Sequence, residues 1–417
     1  MTDLLVRSIG RLVTNASGRP GDLGVVEDAA VAIRGGRVAW VGPDAGIPDD
    51  QRDLPGFDVD GRAVLPGFVD PHTHLVFGGD RAGEFGRRLR GESYEEILAS
   101  GGGIHATVEA TRAATPDDLV EQASARAWRM LEHGTTTVEI KSGYGLTAAH
   151  ETRMLVAAVA VGERTPVDVV PTFLGAHVVD RGVEREDYVR RVVDEMLPAA
   201  SMLAISCDVF CDRGAFGVDE TRSILRAARE LGLGTKLHAE QLSHTGAALL
   251  AAEVGALSAD HLDHATAEDA RALAGAGVVA VLLPAVSMSM RIAAPPARMF
   301  WDAGAVVALA TDCNPGTAYV ESMPLVVALA CLEAGLTPEE AVWAATAGGA
   351  AALGLTDRGR VVEGAVGDLA VLDADDHVHL AYRPGGVRMA AVVKEGAVVV
   401  RDGRATRTAA SGGGLLG

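Results

Sequence analysis

Residues 64–76 read VLPGFVDPHTHLV, and this stretch places two histidines directly after a short apolar run. The run has the length of a buried strand, and Pro-Gly marks a turn beside it. Side chains two positions apart on a strand point to the same face, so His72 and His74 project together. What the pair does therefore depends on how the other strands of the chain end.

The middle of the chain, from about residue 63 to 360, alternates short apolar runs with longer segments of helical periodicity. One helix candidate, TPDDLVEQASARAWRMLEHG at 115–134, begins with Thr-Pro and ends at Gly. Strand and helix units in alternation predict an α/β fold, a (β/α)8 TIM-like barrel. The eight strand-like runs are FVDPHTHLV, TTTVEI, VDVVPTFLGAH, AISCDVF, TKLHAE, LSADHL, VVAVLLP and AVVALATD.

A doubly wound open sheet is the alternative fold for such an alternation. It would carry a glycine-rich phosphate loop after its first strand. Neither a GxGxxG nor a Walker sequence follows the first predicted strand, and GGGIHA at 101–106 does not follow a strand either. That segment predicts a flexible loop, and the barrel is favoured.

Both ends of the chain carry short β patterns. AAVAIRGGRVAWVG at 29–42 alternates around a Gly-Gly hairpin signal, and VRMAAVVKEGAVVVRDG at 387–403 repeats the pattern. Neither end holds enough strands for a sheet of its own, so we expect one small β-sandwich domain built from both termini. The expected division is 1–62 and 361–410 for the β domain, 63–360 for the barrel and 411–417 for a disordered tail.

Composition narrows the class of protein. The formal net charge is −19, and lysines and arginines form no cluster of the kind that binds nucleic acid. No apolar run approaches the length of a membrane helix, and the first residues lack a secretory signal. We therefore expect a cytoplasmic protein with no nucleic-acid or membrane partner. An anionic substrate would need a local arginine, with or without a metal, to overcome the overall negative field.

The strand ends supply a convergent set of ligands. His177 ends the third run, His238 the fifth, His261 the sixth and Asp312 the eighth, and active sites of such barrels lie at the carboxyl ends of the strands. A histidine-rich set with one carboxylate suits zinc or ferrous iron, whose bound water loses its proton more readily. Asp312 is a candidate both for ligating the metal and for accepting that proton. The remaining histidines, in helix or loop patterns, are expected to be solvated: His105, His133, His150, His244, His264, His377 and His379.

With these residues in place, VLPGFVDPHTHLVFGGDR at 64–81 resembles the metal-binding signature of the amidohydrolase superfamily. The superfamily pattern of HxH on strand one, a histidine on strands five and six and an aspartate on strand eight is matched. Members with two metals add a carboxylated lysine at the end of strand four, where this chain reads CDVFCDRGAF at 207–216. The resemblance therefore implies one zinc or iron ion per chain.

Further motifs resemble the imidazolonepropionase family. They are RAGEFGRRLRGESYEEI, EIKSGYGL, TFLGAH, KLHAEQLSHTGA and TDCNPGT, in order between about residues 60 and 355. Members of that family hydrolyse the ring amide of 4-imidazolone-5-propanoate to N-formimidoyl-L-glutamate in histidine degradation. The resemblance implies an acidic small-molecule substrate and leaves open the oligomeric state, a homodimer included.

The same resemblance implies roles for individual residues. Arg81 would clamp the propanoate carboxylate with its fork of donors. Tyr144 and His177 would contact the ring and its substituents, and Gln241 the ring itself. Asn314, Gly316 and Thr317 would bind a carboxylate of substrate or product. The implied metal ligands are His72, His74, His238 and Asp312.

The chain departs from some family members at one position. Those members carry a glutamate three residues after the strand-five ligand, as a proton shuttle, where this chain has Gln241. An amide is not a base at neutral pH. Proton transfer is left to Asp312, His261 or Glu240. We expect the first two to carry it and Glu240 to brace a metal-ligating histidine.

Two other functions stay open at this level. A related amidohydrolase could deaminate a ring or a formimino group and would release ammonia. A non-enzymatic protein on the same fold would usually lose metal ligands, and the expected ligands are all present here.

Overall fold

The computed structural model describes residues 2–92, 96–97 and 101–406. Its strands fall into two sheets, one built from both ends of the chain and one from the middle. In chain order the strands are β1 Leu4–Leu12, β2 Val26–Arg34, β3 Arg37–Pro43, β4 Gly56–Asp58, β5 Ala63–Pro66, β6 Phe68–Asp70, β7 Thr135–Lys141, β8 Asp168–Ala176, β9 Ser206–Cys211, β10 Gly234–Ala239, β11 Ser258–His261, β12 Val279–Leu282, β13 Val307–Leu309, β14 Leu369–Leu372, β15 Met389–Lys394, β16 Ala397–Arg401 and β17 Arg404–Ala405.

The two ends of the chain meet in one mixed sheet. Its order in the described residues is β17-β16-β15-β14-β5-β1-β2-β3, with β4 parallel to β1. The antiparallel pairing of β14 with β5 joins the C-terminal strands to the N-terminal ones. The predicted hairpin closes at Gly35 and Gly36, whose φ values of 55° and 81° suit a type I′ turn. Because β5 belongs to this sheet, its last residue, Pro66, lies beyond the expected domain boundary at residue 63.

The middle of the chain forms the predicted barrel. Strands β6 to β13 lie side by side in chain order and are parallel throughout, and each of the eight predicted runs supplies one of them. The first and eighth strands close the circle just beyond their ends, where Thr73 bridges to Cys313. There the amide of Asp312 donates to the carbonyl of His72 at 3.1 Å, and that of His74 donates to the carbonyl of Cys313 at 3.0 Å. Closure therefore sets the HxH pair beside the strand-eight aspartate.

Helices cover the outside of the barrel. The predicted helix at 115–134 spans Pro116–Glu132, with Thr115 and Asp118 forming a capping box around Pro116. The helices are Ala82–Leu89, Ile104–Ala113, Pro116–Glu132, Ala148–Arg164, Arg185–Arg191, Leu197–Ala200, Val218–Glu230, Ala247–Val254, Ala267–Ala276, Pro284–Met290, Ala297–Asp302, Met323–Leu332, Pro338–Trp343, Gly349–Ala352 and His379–Tyr382, with π-helical turns at Val192–Met196 and Ala344–Gly348 and 3-10 turns at Asp44–Gly46 and Asp49–Gln51.

Two expectations outside the barrel strands were wrong. The segment GGGIHA is only half a loop, because the helix Ile104–Ala113 begins within it and buries Val108 and Thr111 on its inner face. His377 is 3% exposed instead of solvated, and its ring lies 3.6 Å from a carboxylate oxygen of Glu339. The expected tail at 411–417 lies outside the described residues.

No helix among the described residues is both long and apolar enough to cross a membrane. The cysteines carry free thiols; Cys207, Cys211 and Cys313 are buried, and Cys331 is partly exposed.

Candidate active site

The carboxyl ends of the barrel strands bring the predicted ligands together. The rings of His72 and His238 lie 4.5 Å apart between centroids, and those of His238 and His261 5.1 Å apart. One carboxylate oxygen of Asp312 lies 3.5 Å from Nε2 of His72 and 3.4 Å from Nε2 of His74. Five residues from the ends of four different barrel strands thus share one buried cluster.

The cluster has the donor atoms that a divalent cation needs. Among the described residues, Nε2 of His72, Nε2 of His238 and Oδ1 of Asp312 are buried without a hydrogen-bond partner. Buried polar atoms in proteins are rarely left in that state. Burial lowers the pKa of His72 and of His74 well below the usual value, which keeps their lone pairs available at neutral pH. The residues present therefore fit a bound zinc or iron ion.

Four residues other than glycine at these strand ends have a left-handed backbone conformation. Glu240, His261, Leu262 and Asp312 have φ values of 53°, 79°, 65° and 51°. Such conformations cost free energy in residues with a side chain and occur often at functional sites. They indicate that the backbone at the ends of three barrel strands positions the side chains of the cluster at a cost in conformational free energy.

A layer of buried charged residues adjoins the cluster, and sequence reasoning missed it. Nζ of Lys141 lies 2.7 Å from Glu139 and 2.6 Å from Asp208, and Nζ of Lys236 lies 2.9 Å from Glu139. Both ammonium groups also lie within 3.7 Å of Asp260. We call these five residues, Glu139, Lys141, Asp208, Lys236 and Asp260, the inner charge layer.

The inner charge layer holds two of the imidazoles. Oδ2 of Asp260 lies 2.6 Å from Nδ1 of His72, and Oδ2 of Asp208 lies 3.0 Å from Nδ1 of His238. The second contact has the distance of an ion pair without the alignment of a hydrogen bond. A carboxylate on one ring nitrogen fixes the tautomer that presents the other nitrogen to a metal.

The sequence did contain a signal for this layer. On β7 the charged Glu139 and Lys141 alternate with Val138 and Ile140, which join the apolar core. Residues at alternate positions on a barrel strand point to the same side, toward the interior. A charged residue at an inward position of an otherwise apolar strand must find a partner of opposite charge there.

One cavity of about 730 Å³ connects the cluster to the surface. His74, His238, His261 and Asp312 line it. The stacked rings of His74 and His177 lie 5.2 Å apart, with Tyr144 5.3 Å from His177. All predicted substrate-binding residues line this same cavity: Arg81, Tyr144, His177, Gln241, Asn314, Gly316 and Thr317.

The loop after the eighth strand is organised by one amide side chain. Oδ1 of Asn314 accepts hydrogen bonds from the amides of Gly316 and Thr317 at 2.7 and 2.8 Å. Its Nδ2 donates to the carbonyl of Asp312 at 2.7 Å and to the Thr317 hydroxyl at 2.9 Å. These donors were expected to meet a carboxylate of substrate or product. Here the loop itself engages them, and the Thr317 hydroxyl lies 3.4 Å from Oδ2 of Asp312.

Glu240 faces a helix rather than the cluster. Its Oε2 accepts from the amide of Thr245 at 2.5 Å and its Oε1 from the amide of Ala248 at 3.1 Å. These amides belong to the turn that opens the helix Ala247–Val254. Among the described residues, no hydrogen bond or ion pair links the Glu240 carboxylate to a histidine of the cluster, and Glu240 does not line the cavity. The expected bracing contact is therefore not present.

Solved structures share this architecture at low sequence identity. A triazine hydrolase variant superimposes with a TM-score of 0.76 at 21% identity, covering 97% of this chain and 96% of that one. An adenosine deaminase from Xanthomonas campestris, with bound zinc, gives a TM-score of 0.72 at 19% identity over 98% and 95% of the two chains. At these identities the likeness concerns the fold.

Sequence comparison is more specific. The model of the amidohydrolase family matches residues 63–400. An imidazolonepropionase of Salinispora arenicola is 53% identical over 92% of this chain and 96% of its own length. Another, of Mycolicibacterium smegmatis, is 48% identical over 96% and 98%. With its barrel, its strand-end ligands and these relatives, the chain belongs to the amidohydrolase family and, within it, to the imidazolonepropionases, which hydrolyse a cyclic amide C–N bond.

Proposed function

We propose that this chain hydrolyses the ring amide of 4-imidazolone-5-propanoate to N-formimidoyl-L-glutamate. The observation that carries the proposal is the make-up of the 730 Å³ cavity, which holds buried imidazoles kept neutral by burial and a carboxylate at one place and guanidinium groups at another. A planar ring amide with an acidic tail needs both. Incubation with the propanoate should yield the formimidoyl product without ammonia. Released ammonia would favour a deaminase instead.

His72, His74, His238 and Asp312 would hold one zinc or iron ion. When bound, the ion would polarise the ring carbonyl and lower the pKa of a water molecule. A second, lysine-bridged ion is disfavoured by the state of Lys141. Although burial lowers its pKa, Asp208 and Glu139 outweigh this and raise it, so that the amine stays protonated. Carboxylation of a lysine requires the neutral amine.

Asp312 would take the proton of the attacking water. Burial raises the pKa of its carboxyl group, which makes it a better base than an exposed aspartate. Asn314 and Thr317 fix its orientation through the loop. Asp312 then returns the proton to the ring nitrogen as the C–N bond breaks.

His261 would stabilise negative charge on the carbonyl oxygen. Burial lowers its pKa to about 3, so it is neutral at pH 7 and acts as a hydrogen-bonding group rather than as an acid. His177, on the same cavity wall as Tyr144, would contribute a second polar contact to the ring.

Metal analysis tests the number of ions. Purified active protein should contain one equivalent of zinc or iron per chain, and added bicarbonate should not change its activity, because Lys141 is held as an ammonium. Elemental analysis, divided by the protein concentration of the same sample, measures the number of metal ions per chain. Two equivalents, both required for turnover, would contradict the single-ion site.

Glu240→Gln tests which role the carboxylate has. If Glu240 only accepts amides at the start of a helix, the variant should keep its metal and its kcat. It should lose about 0.5–2 kcal/mol of unfolding free energy, as helix-cap substitutions do. Asp269→Asn is the matched control, since that buried carboxylate accepts from the amide of Thr266 at 2.7 Å at the start of Ala267–Ala276. A collapsed kcat with full metal occupancy in Glu240→Gln alone would make Glu240 the proton shuttle.

A further inference from the structure

One wall of the cavity comes from a single helix face. Arg81, Glu84, Phe85 and Arg88 line the cavity, and their spacing of three and four residues places them on the same side of the helix Ala82–Leu89. Two of the four carry guanidinium groups, in a chain whose formal net charge is −19. Positive charge concentrated against a negative overall field favours binding of an anion at that place.

The charge of Arg81 is already matched by a carboxylate. Its Nε and Nη2 lie 2.9 and 2.8 Å from Oε2 of Glu84. Glu84 is fixed in turn by the amide of Gly103, which donates to it at 3.2 Å. Arg81 can therefore still donate hydrogen bonds to a ligand, but together with Glu84 it contributes little net charge.

Arg88 has no such partner among the described residues. Its Nη1 contacts Sδ of Met290 at 3.0 Å and the carbonyl of Gly316 at 3.4 Å, and neither group is negative. Burial and the neighbouring Arg81 lower the pKa of Arg88, and the carboxylate of Glu84, which already pairs with Arg81, offsets this only in part. With Arg81, Glu84 and Arg88 together, this wall carries one uncompensated positive charge. The third arginine of the cavity, Arg213, is exposed to solvent.

Both guanidinium groups meet at Gly316. A Cβ atom at that position would lie 2.3 Å from Nη1 of Arg81, while its carbonyl accepts from Arg88. The absence of a side chain at Gly316 therefore leaves room for Arg81 beside the loop that carries Asp312. The pair of arginines therefore lies against the loop that carries the strand-eight residue Asp312.

We infer that Arg88 is a specificity-determining residue, which binds the carboxylate of the substrate together with Arg81. The inference rests on the proposed function, because the substrate named there carries one carboxylate on a flexible tail. Arg81 orients the carboxylate through hydrogen bonds, and Arg88 supplies the net positive charge that attracts it. Removing Arg88 leaves the wall formally neutral, so the preference for an acid over its uncharged amide should disappear.

The test compares KM and kcat for imidazolone propanoate and for its propanamide analogue. Arg88→Met keeps an unbranched side chain against Met290 and removes the charge, while Arg88→Lys keeps the charge and removes the fork. We expect Arg88→Met to raise KM for the acid about 10- to 150-fold, the value of a hydrogen bond to a charged group, with kcat nearly unchanged. Its KM for the propanamide should not change, and Arg88→Lys should fall between Arg88→Met and the wild type.

Arg87→Met is the control, since Arg87 pairs with Glu92 at 2.6 Å and does not line the cavity. It should leave both KM values unchanged. An unchanged KM for the acid in Arg88→Met, or an equal rise in KM for acid and amide, would overturn the inference. If Arg88→Met does not fold, the same two KM values measured for Arg88→Lys decide the question. Failure of the wild type to hydrolyse the propanoate would instead overturn the proposed function.

Discussion

Asp312→Asn should lower kcat by about two to four orders of magnitude while the protein keeps its metal. The amide oxygen of asparagine still offers a ligand atom, but it does not accept a proton at neutral pH. In the structure the carboxylate is buried, lies 3.4–3.5 Å from Nε2 of His72 and of His74, and is oriented by the loop through Asn314. Steady-state kinetics with metal analysis of the same sample measures the effect.

Asp212→Asn is the matched control for this loss. Asp212 also follows a barrel strand and is buried, but its carboxylate accepts from the amide of Leu242 and the hydroxyl of Ser243 and does not line the cavity. It should leave kcat unchanged. A fully metallated Asp312→Asn protein with wild-type kcat would show that Asp312 is a ligand only and that another group accepts the proton.

Lys141→Met should lower the free energy of unfolding by about 3–5 kcal/mol, the usual effect of removing one partner of a buried ion pair. The variant leaves Glu139 and Asp208 without their nearest cation in a fully buried site. Because the folded-state pKa of Lys141 is raised above its ordinary value of 10.5, this contribution is fully present below that pH and disappears only at higher pH. Urea unfolding at pH 7 therefore measures all of it.

Lys394→Met separates stability from function. Lys394 is also buried between carboxylates, with Nζ 2.9 Å from Asp168 and 3.1 Å from Asp368, but it belongs to the terminal sheet. Both variants should lose stability. Only Lys141→Met should also lose metal affinity, about ten- to a hundredfold, because Asp208 and Asp260 then no longer hold the imidazoles firmly. Equal metal affinity in the two variants would show that the inner charge layer is structural alone.

Much of the fold could be predicted because its signals are local. Apolar runs alternate with helical segments along the middle of the chain, and the capping box at Thr115 and the Gly35-Gly36 turn are written in adjacent residues. The strand-end positions of His72 and Asp312 follow from the same alternation. Closure of the barrel then brings any such residues to one mouth, whatever their distance in the chain.

Side-chain partners could not be predicted in this way. Glu240 directly follows a ligand strand, yet a left-handed backbone at φ 53° turns its carboxylate to the amides of Thr245 and Ala248. The chemical character of Asn314 suggested a donor for a substrate carboxylate, but the turn of its own loop takes those donors. The backbone conformation at such a residue decides which of two nearby partners a short polar side chain reaches, and residue type alone does not fix that conformation.

The sequence by itself determined the barrel, the two-ended terminal sheet, the histidine and aspartate cluster and the family, because periodicity and strand-end residues are properties of the chain. Only the tertiary structure decided the inner charge layer and the pairing of Arg81 with Glu84 that leaves Arg88 uncompensated. Strands β7, β9, β10 and β11 supply that layer, and only folding brings their side chains together inside the barrel. Burial makes each such pairing obligatory, since an unpaired charge inside the barrel would cost more free energy than the fold has to spare.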